Sequence, residues 1–113
     1  SSDLGKKAEA SEVIKRRVEE VRDIQRERFE NEPIFTNASM GNPQLSKYCK
    51  LDNTSEKLLE TAFKRLNLTA RAVTRILKVA RTIADMDKSQ DIKSDHVAEA
   101  VQYRSLDRKY RLI

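Results

Sequence analysis

The stretch "NLTARAVTRILKVARTIADM", residues 67–86, predicts the helix around which the fold is built. Placed on a helix at about 100° per residue, its apolar side chains fall within roughly 120° of one another. These apolar residues are Val73, Ile76, Leu77, Ala80, Ile83 and Ala84. Because such a face is buried against other elements, we expect a helix from about Thr69 to Met86, with Thr69 as its cap.

The opposite face of this helix is cationic. Between Glu60 and Asp85 the sequence contains lysines and arginines but no carboxylate; the cations are Lys64, Arg65, Arg71, Arg75, Lys78 and Arg81. With Arg71 at zero, Arg75 lies near about 40° and Lys78 near about −20°. Arg81 lies on the flank, at roughly −80°. The apolar face explains why the helix forms, but it does not explain why the polar face lacks acids.

Three interpretations of these cations remain open. They can form a solvated surface, which is the commonest use of lysine and arginine. They can form a nucleic-acid footprint in which Lys64, Arg65 and Lys78 neutralise phosphates, although no aromatic side chains are interleaved for base stacking. In the third interpretation, one arginine reaches a nucleotide bound elsewhere. The position of Arg71 favours this third interpretation, because a cation in the first turn of a helix opposes the helix dipole.

The composition predicts one all-α domain. The chain has 113 residues, of which 38% are hydrophobic and 36% charged, with only two glycines and two prolines. Such a composition leaves a thin core, few turns and few β-forming residues. The net charge of +5 and the pI of about 9.5 are compatible with an anionic partner, either a nucleotide or a nucleic acid.

The same counts argue against several classes of protein. Cys49 is the only cysteine, which excludes an internal disulfide and makes the cytoplasm the default location. With His96 as the only histidine, the chain lacks the usual zinc ligands, and we expect no metal site. We expect no membrane span, because no apolar run is long enough.

Residues 11–43 predict a long helix followed by a loop. Apolar residues recur at helical spacing and indicate a helix from about 11 to 30, with Ser11 as its N-cap; they are Ile14, Val18, Val21, Ile24 and Phe29. Residues 31–43 contain both prolines and should pack as an ordered loop through Ile34, Phe35 and Met40. Asn37 should hold this loop by bonds from its side chain to the backbone.

The remaining sequence predicts three further helices besides that of residues 69–86. Asn42 should cap a short helix that ends near Leu51 and contributes Tyr48 and Cys49 to the core. Asn53 should cap the next helix, whose buried stripe is Leu58, Leu59, Ala62, Phe63 and Leu66. Ser94 should cap the last helix. We also expect a helical ion pair between Arg81 and Asp85, and a capping or surface role for His96.

Three motifs bear a resemblance to a known family. "TARAVTRIL", "ARTIAD" and "HVAEAVQYRSLDR", set in the order long helix, loop and short helix ending in "LSKYCKLD", resemble the C-terminal region of magnesium-chelatase-related AAA+ ATPases, specifically the ComM group. The resemblance covers about residues 14–108. A broader similarity extends to the lids of MCM helicases and of magnesium chelatase subunit I. It implies an all-α lid of four to five helices.

The resemblance also implies functional residues. Arg71, matched by its position in "LTARA", corresponds to the sensor-2 arginine that reaches the γ-phosphate of ATP, and Arg75 would support it. A guanidinium suits this role because it forms charge-assisted bonds to phosphate. The parent would use ATP and magnesium, form a homo-hexamer and act on DNA. Lys64, Arg65 and Lys78 would then be candidates for contacts with DNA or phosphate.

The resemblance finally implies a division of the chain. Residues 1–10 would be a linker from an AAA+ core, residues 11–41 a connecting helix and loop, and residues 42–113 the lid. No G-x-x-x-x-G-K-[ST] sequence and no Walker B run are present. We therefore expect no ATPase activity, no catalytic residue and no tight cofactor binding from this chain alone. The parent would be the ATPase, and the AAA+ core would be the lid's partner.

Overall fold

The computed structural model describes the backbone of residues 2–110 and the side chains of residues 5–104. This part of the chain contains five α-helices: α1 (Ser2–Arg28), α2 (Asn42–Tyr48), α3 (Asn53–Arg65), α4 (Ala70–Met86) and α5 (Ser94–Tyr110). A single 3₁₀ turn, Asn37–Ser39, precedes α2. Within the described backbone, β pairing is limited to an isolated bridge between Leu51 and Ile92. The expected all-α fold of four to five helices is confirmed.

The chain divides into two compact units between Thr36 and Asn37. The first unit contains α1 and the loop that follows it, and the second contains the 3₁₀ turn and α2 to α5. The functional division into residues 1–10, 11–41 and 42–113 concerns the parent protein and stays a prediction.

In the first unit, α1 begins earlier than the sequence indicated. It starts at Ser2, so Ser11 lies inside the helix and is not its N-cap. Residues 6–10 explain the difference, because Lys, Ala and Glu are strong helix formers and Gly5 costs only about 1 kcal/mol. Phe29 is buried, whereas Ile14 is 62% exposed and Val18 44% exposed. The predicted apolar stripe is therefore not buried between Ile14 and Val18, in the middle of α1.

The prediction that the loop of residues 31–43 packs through its apolar side chains is wrong at one residue. Phe35 is 85% exposed and does not pack as predicted. Met40, which belongs to the second unit, is buried as expected.

The second unit is centred on α4. Its buried residues include Ile76, Ala80 and Ala84, which confirms the centre of the predicted apolar face. The other three residues of that face, Val73, Leu77 and Ile83, are half-buried. Helix α5 packs against both α4 and α3, and its Val97 and Ala100 are completely buried. Helix α2 and the 3₁₀ turn also pack on α4. The central helix thus forms contacts with most of the unit, as its strong amphipathic pattern indicated.

The starts of α2 and α3 each lie one residue from the prediction. Helix α2 is capped by Gly41, not by Asn42, and ends at Tyr48. Asp52, not Asn53, caps α3, and its Oδ1 accepts a hydrogen bond from the Ser55 backbone N–H at 2.7 Å. In both helices the residue before the predicted cap has the extended backbone that a cap requires.

The predicted buried stripe of α3 and the predicted core residues of α2 are only partly confirmed. Leu59 is buried, but Phe63 and Leu66 are each more than 40% exposed. Cys49 is buried as expected, whereas Tyr48 is half-buried.

Candidate functional site

The first turn of α4 presents Arg71 to solvent. Thr69 has extended backbone angles, and its hydroxyl accepts a hydrogen bond from the Ala72 N–H at 3.1 Å, which confirms the predicted cap. The first turn contains no acidic residue. Arg71 is exposed there and opposes the positive end of the helix dipole. An arginine in this position is better suited to an external anion than to its own helix.

Arg71 lies on the rim of a groove between α4, α5 and the 3₁₀ turn, which we call the α4–α5 groove. Its volume is about 930 Å³. The cations of its lining are Arg71, Arg75 and Lys78, and its one carboxylate is that of Glu99. The apolar part of the lining includes Val79, Ile83, Met86 and Tyr103. The groove thus combines an apolar surface with an excess of positive charge.

Lys78 differs from the two arginines in its bonding. Its Nζ donates a hydrogen bond to the backbone carbonyl of Ala38 at 2.9 Å and thereby holds the 3₁₀ turn against α4. Arg71 and Arg75 lie one turn apart on the same rim. The structure therefore brings together the two residues that the resemblance assigned to nucleotide phosphate, and it gives Lys78 a packing role.

Lys64 and Arg65 lie elsewhere. Both are exposed at the C-terminal end of α3, and neither lines the α4–α5 groove. Lys64 pairs with Glu60, one turn earlier, at 3.1 Å. The cations of residues 64–81 thus do not form one continuous stripe, and contact between Lys64 or Arg65 and DNA stays a prediction.

Arg81 is not part of the exposed cationic face. It forms the predicted ion pair with Asp85, but both residues are buried. Its guanidinium also donates to the backbone carbonyls of Ser89 and Gln90 at 2.8 and 3.0 Å. The sequence contained a signal for this burial, since Arg81 lies on the flank of α4, between the cationic face and the apolar face.

Asn37 performs a role that the sequence reasoning missed. Its side chain is buried, and its Nδ2 donates to Asp85 Oδ2 at 2.8 Å and to Thr82 Oγ1 at 3.1 Å. These bonds reach 45 and 48 residues along the chain, which the sequence did not indicate, and the expected bonds of Asn37 to its own loop stay a prediction. Asn37 therefore attaches the 3₁₀ turn to the central helix.

His96 stabilises the start of α5. Its Nδ1 accepts a hydrogen bond from the Lys93 backbone N–H at 2.9 Å, in the manner of a capping box. The other nitrogen, Nε2, then carries the hydrogen and lies 3.0 Å from Asp87 Oδ2. The predicted capping role is confirmed, although the ring is buried and does not lie on the surface.

One group of possible metal ligands occurs within the described side chains. It comprises Asp87, Asp95 and His96, whose ligand atoms lie within 4.8 Å of one another. Both ring nitrogens of His96 already have partners within the protein, and both carboxylates are exposed. This arrangement supports a helix cap better than a metal centre, and the absence of a metal stays a prediction.

Comparison with known proteins identifies the family. Residues 8–104 match the family described as magnesium chelatase, subunit ChlI C-terminal. The chain belongs to this family. The resemblance found in the sequence motifs, to C-terminal lid domains of the ComM and magnesium-chelatase type, is thereby confirmed.

Three relatives of this magnesium chelatase C-terminal domain have similar sequences. It is 42% identical over 100 residues to the uncharacterized protein YifB of Escherichia coli strain K12. It is 39% identical over 102 residues to the competence protein ComM of Haemophilus influenzae, and 38% identical to YifB of Salmonella typhimurium. These matches cover 88 to 90% of the chain but 19% of each relative. The chain thus spans about a fifth of the length of these relatives.

No solved structure matches the chain. Among the described residues, none of the helices is both long enough and apolar enough to cross a membrane.

Proposed function

We propose that this domain is the lid over the nucleotide of an AAA+ ATPase, and that Arg71 contacts the γ-phosphate of ATP held by the core of the same protein. The observation that carries the proposal is the position of Arg71. It is exposed in the capped first turn of α4, with no acidic residue in that turn to balance it. Family membership supports the same role, because the matched domain is that of a chelatase subunit.

Arg75 supports the same phosphate in this proposal. It lies one turn after Arg71, on the same rim of the α4–α5 groove. Two guanidinium groups on one side of a nucleotide stabilise the charge that develops on the transferred phosphoryl group. ATP and magnesium would be held by the core, because a lone guanidinium without a nest of backbone N–H groups binds phosphate weakly.

The parent protein would couple ATP hydrolysis to motion of this lid. We propose that it works in the cytoplasm as a homo-hexamer acting on DNA, which extends the likeness to the competence protein ComM. Closure of a helical lid over a nucleotide is a hinge motion between rigid bodies. A long α1 leading into a separately packed bundle suits a lid that moves as one body.

The test is steady-state ATP hydrolysis by the full-length parent carrying Arg71→Ala. Arg65→Ala is the matched control, because Arg65 is also an exposed arginine but lies outside the α4–α5 groove. We expect Arg71→Ala to lower kcat by about tenfold or more, because phosphoryl transfer depends on fixed positive charge. Arg65→Ala should leave kcat within about twofold, since an isolated surface cation is screened by solvent.

An equal and small effect of both substitutions on kcat, with helicity unchanged by circular dichroism, would contradict the proposal. If the isolated domain then also bound DNA with an affinity that weakens steeply with salt and is lost in the double variant Lys64→Ala/Arg65→Ala, a basic DNA-binding module would replace the nucleotide lid. DNA binding beside a large loss of kcat in Arg71→Ala is compatible with the proposal, because the parent would act on DNA.

A further inference from the structure

Arg104 lies on the buried face of α5. With Ala100 at zero and about 100° per residue, Arg104 falls near about 40° and Val97 near about 60°. Ala100 and Val97 are both completely buried, and α5 packs against α3 and α4. Arg104 therefore occupies the next position of a buried stripe, one turn after Ala100, where an apolar residue is the usual choice.

The Nε atom of Arg104 is buried and has no hydrogen-bond partner. Among the described side chains, Ser55 Oγ is the only other buried nitrogen or oxygen atom in this situation. The Arg104 residue as a whole is half-buried, so solvent reaches part of it. A buried donor without an acceptor lowers stability, and native proteins retain few such groups.

Arg81 shows how this fold treats an arginine that serves packing. Its Nε donates to Asp85 Oδ1 at 3.1 Å, and its Nη1 and Nη2 donate to the carbonyls of Gln90 and Ser89 at 3.0 and 2.8 Å. All three nitrogens of that guanidinium thus have acceptors inside the domain. The unsatisfied Nε of Arg104 indicates, by contrast, an acceptor that comes from outside the domain.

Arg104 does not belong to the α4–α5 groove. Glu99 and Tyr103 are the residues by which α5 lines that groove. Arg104 lies about 100° from Tyr103 around the helix and is not part of the lining. The acceptor of Arg104 is therefore not shared with the cations of the groove.

A carboxylate suits Arg104 better than a phosphate does. One guanidinium neutralises the single charge of an aspartate or glutamate side chain, and its planar Nε–Nη edge matches the two oxygens. A terminal phosphate carries more than one charge and a nucleic acid carries many, so either of them needs several cations together. A partly buried ion pair is stable only where the two charges balance.

We propose that Arg104 binds a carboxylate on the surface of the AAA+ core of the parent protein and thereby attaches this domain to that core. The chain spans about a fifth of the length of its relatives, so the core lies outside it. The carboxylate supplies the acceptor that Nε lacks and compensates the charge on the buried face of α5. This inference shares with the proposed function the presence of an AAA+ core. It needs neither Arg71 nor a nucleotide, so the two proposals fail separately.

The first measurement is thermal unfolding of this chain with Arg104→Met. We expect Tm to stay the same or to rise, because an apolar side chain of similar length replaces an unsatisfied donor. Arg81→Met is the matched control and should lower Tm by several degrees, since Asp85 then stays buried without its partner. A loss of Tm in Arg104→Met as large as that of the control would show a packing role and overturn the proposal.

The second measurement identifies the partner in the full-length parent without nucleotide. A carbodiimide joins an amine to a carboxylate only when the two are in contact, so Arg104→Lys introduces the reactive amine at this position. We expect mass spectrometry to find position 104 joined to an aspartate or glutamate of the core. Arg65→Lys is the control, because Arg65 is exposed at the end of α3, and it should give a several-fold lower yield of links to the core. Links from position 104 only to carboxylates of this domain, no link at all, or a yield equal to that of the control would overturn the proposal.

Discussion

Arg81 and Asp85 form an ion pair within α4 whose side chains are 5% and 1% exposed. Arg81 Nε and Nη2 each lie 3.1 Å from Asp85 Oδ1. The other carboxylate oxygen, Oδ2, accepts the hydrogen bond from Asn37, and the guanidinium also donates to backbone carbonyls that follow α4. These bonds offset the cost of removing both charges from water. The pair therefore holds the 3₁₀ turn and the 89–90 segment to one helix.

Asp85→Ala should strongly destabilise the second unit. It leaves the Arg81 charge buried without its partner, which typically costs about 3–5 kcal/mol. Lys64→Ala is the matched control, since it removes an ion pair of the same i,i+4 spacing that is exposed, and such pairs contribute only about 0.3–0.5 kcal/mol. Urea unfolding measures both. If Asp85→Ala does not fold, Asp85→Asn provides the measurement, and a loss no larger than that of the control would contradict this account.

Asn37→Ala should also destabilise the fold, by a smaller amount. The variant loses hydrogen bonds to Asp85 and Thr82, and the buried carboxylate loses one donor, at a cost of about 1–3 kcal/mol. Asn42→Ala is the control because Asn42 is exposed in the first turn of α2. Thermal unfolding should show a lower Tm for Asn37→Ala alone. Equal Tm values for the two variants would show that the buried amide contributes little.

Thr69→Ala should weaken the start of α4, the turn that carries Arg71. The hydroxyl that accepts from Ala72 N–H is removed, and loss of a helix cap costs about 0.5–2 kcal/mol. Thr69→Ser retains the hydroxyl and should keep most of the stability. Amide hydrogen exchange should show faster exchange at residues 70–73 in Thr69→Ala. A serine variant as unstable as the alanine variant would point to lost packing of the methyl group instead.

The lowered pKa of Asp52 predicts that this residue makes a pH-dependent contribution to stability. Its pKa lies below the ordinary value because the Ser55 hydroxyl, and secondly the Ser55 backbone N–H, favour the carboxylate. Of the two groups, the N–H makes the well-formed hydrogen bond, whereas the buried Ser55 Oγ has no hydrogen-bond partner of good geometry. We therefore expect the hydroxyl to act through its dipole and the N–H through the bond itself.

The direction in which stability changes with pH follows from the lowered pKa. The folded state favours the charged form, so the contribution is complete above the unfolded pKa of about 4 and disappears as the pH falls through the lower folded pKa. Asp52→Asn keeps a capping side chain without a titrating group. The stability of wild type relative to Asp52→Asn should therefore decrease between neutral pH and pH of about 3. A difference that is constant over this range in urea unfolding experiments would contradict the assignment.

Much of the fold was predictable because it depends on local patterns. The apolar period of residues 69–86 fixed the position of α4 and its buried Ile76, Ala80 and Ala84, and the Thr69 cap followed from its position before that run. The motifs of the same region indicated the family that the comparisons confirmed. Helix starts at Gly41 and Asp52 were missed by one residue, because neighbouring residues with similar capping ability compete there.

The candidate site was predictable only in part. Arg71 and Arg75 could be placed on one helix face from their spacing, since helical geometry is local. Their position on the rim of a groove with Glu99 and Tyr103 could not, because α5 meets α4 only in the folded bundle. The separation of Lys64 and Arg65 from this groove likewise depends on how α3 packs.

The sequence by itself determined that this chain is helical, where its central helix lies, and which face of that helix is apolar, because each depends on residues within a few turns of one another. Only the tertiary structure decided the roles of Asn37 and Arg81. Their partners include groups distant in the chain or beyond the end of the helix, such as Asp85 for Asn37 and the Ser89 carbonyl for Arg81. Burial removes water as an alternative partner, so these bonds form only when packing brings the segments together.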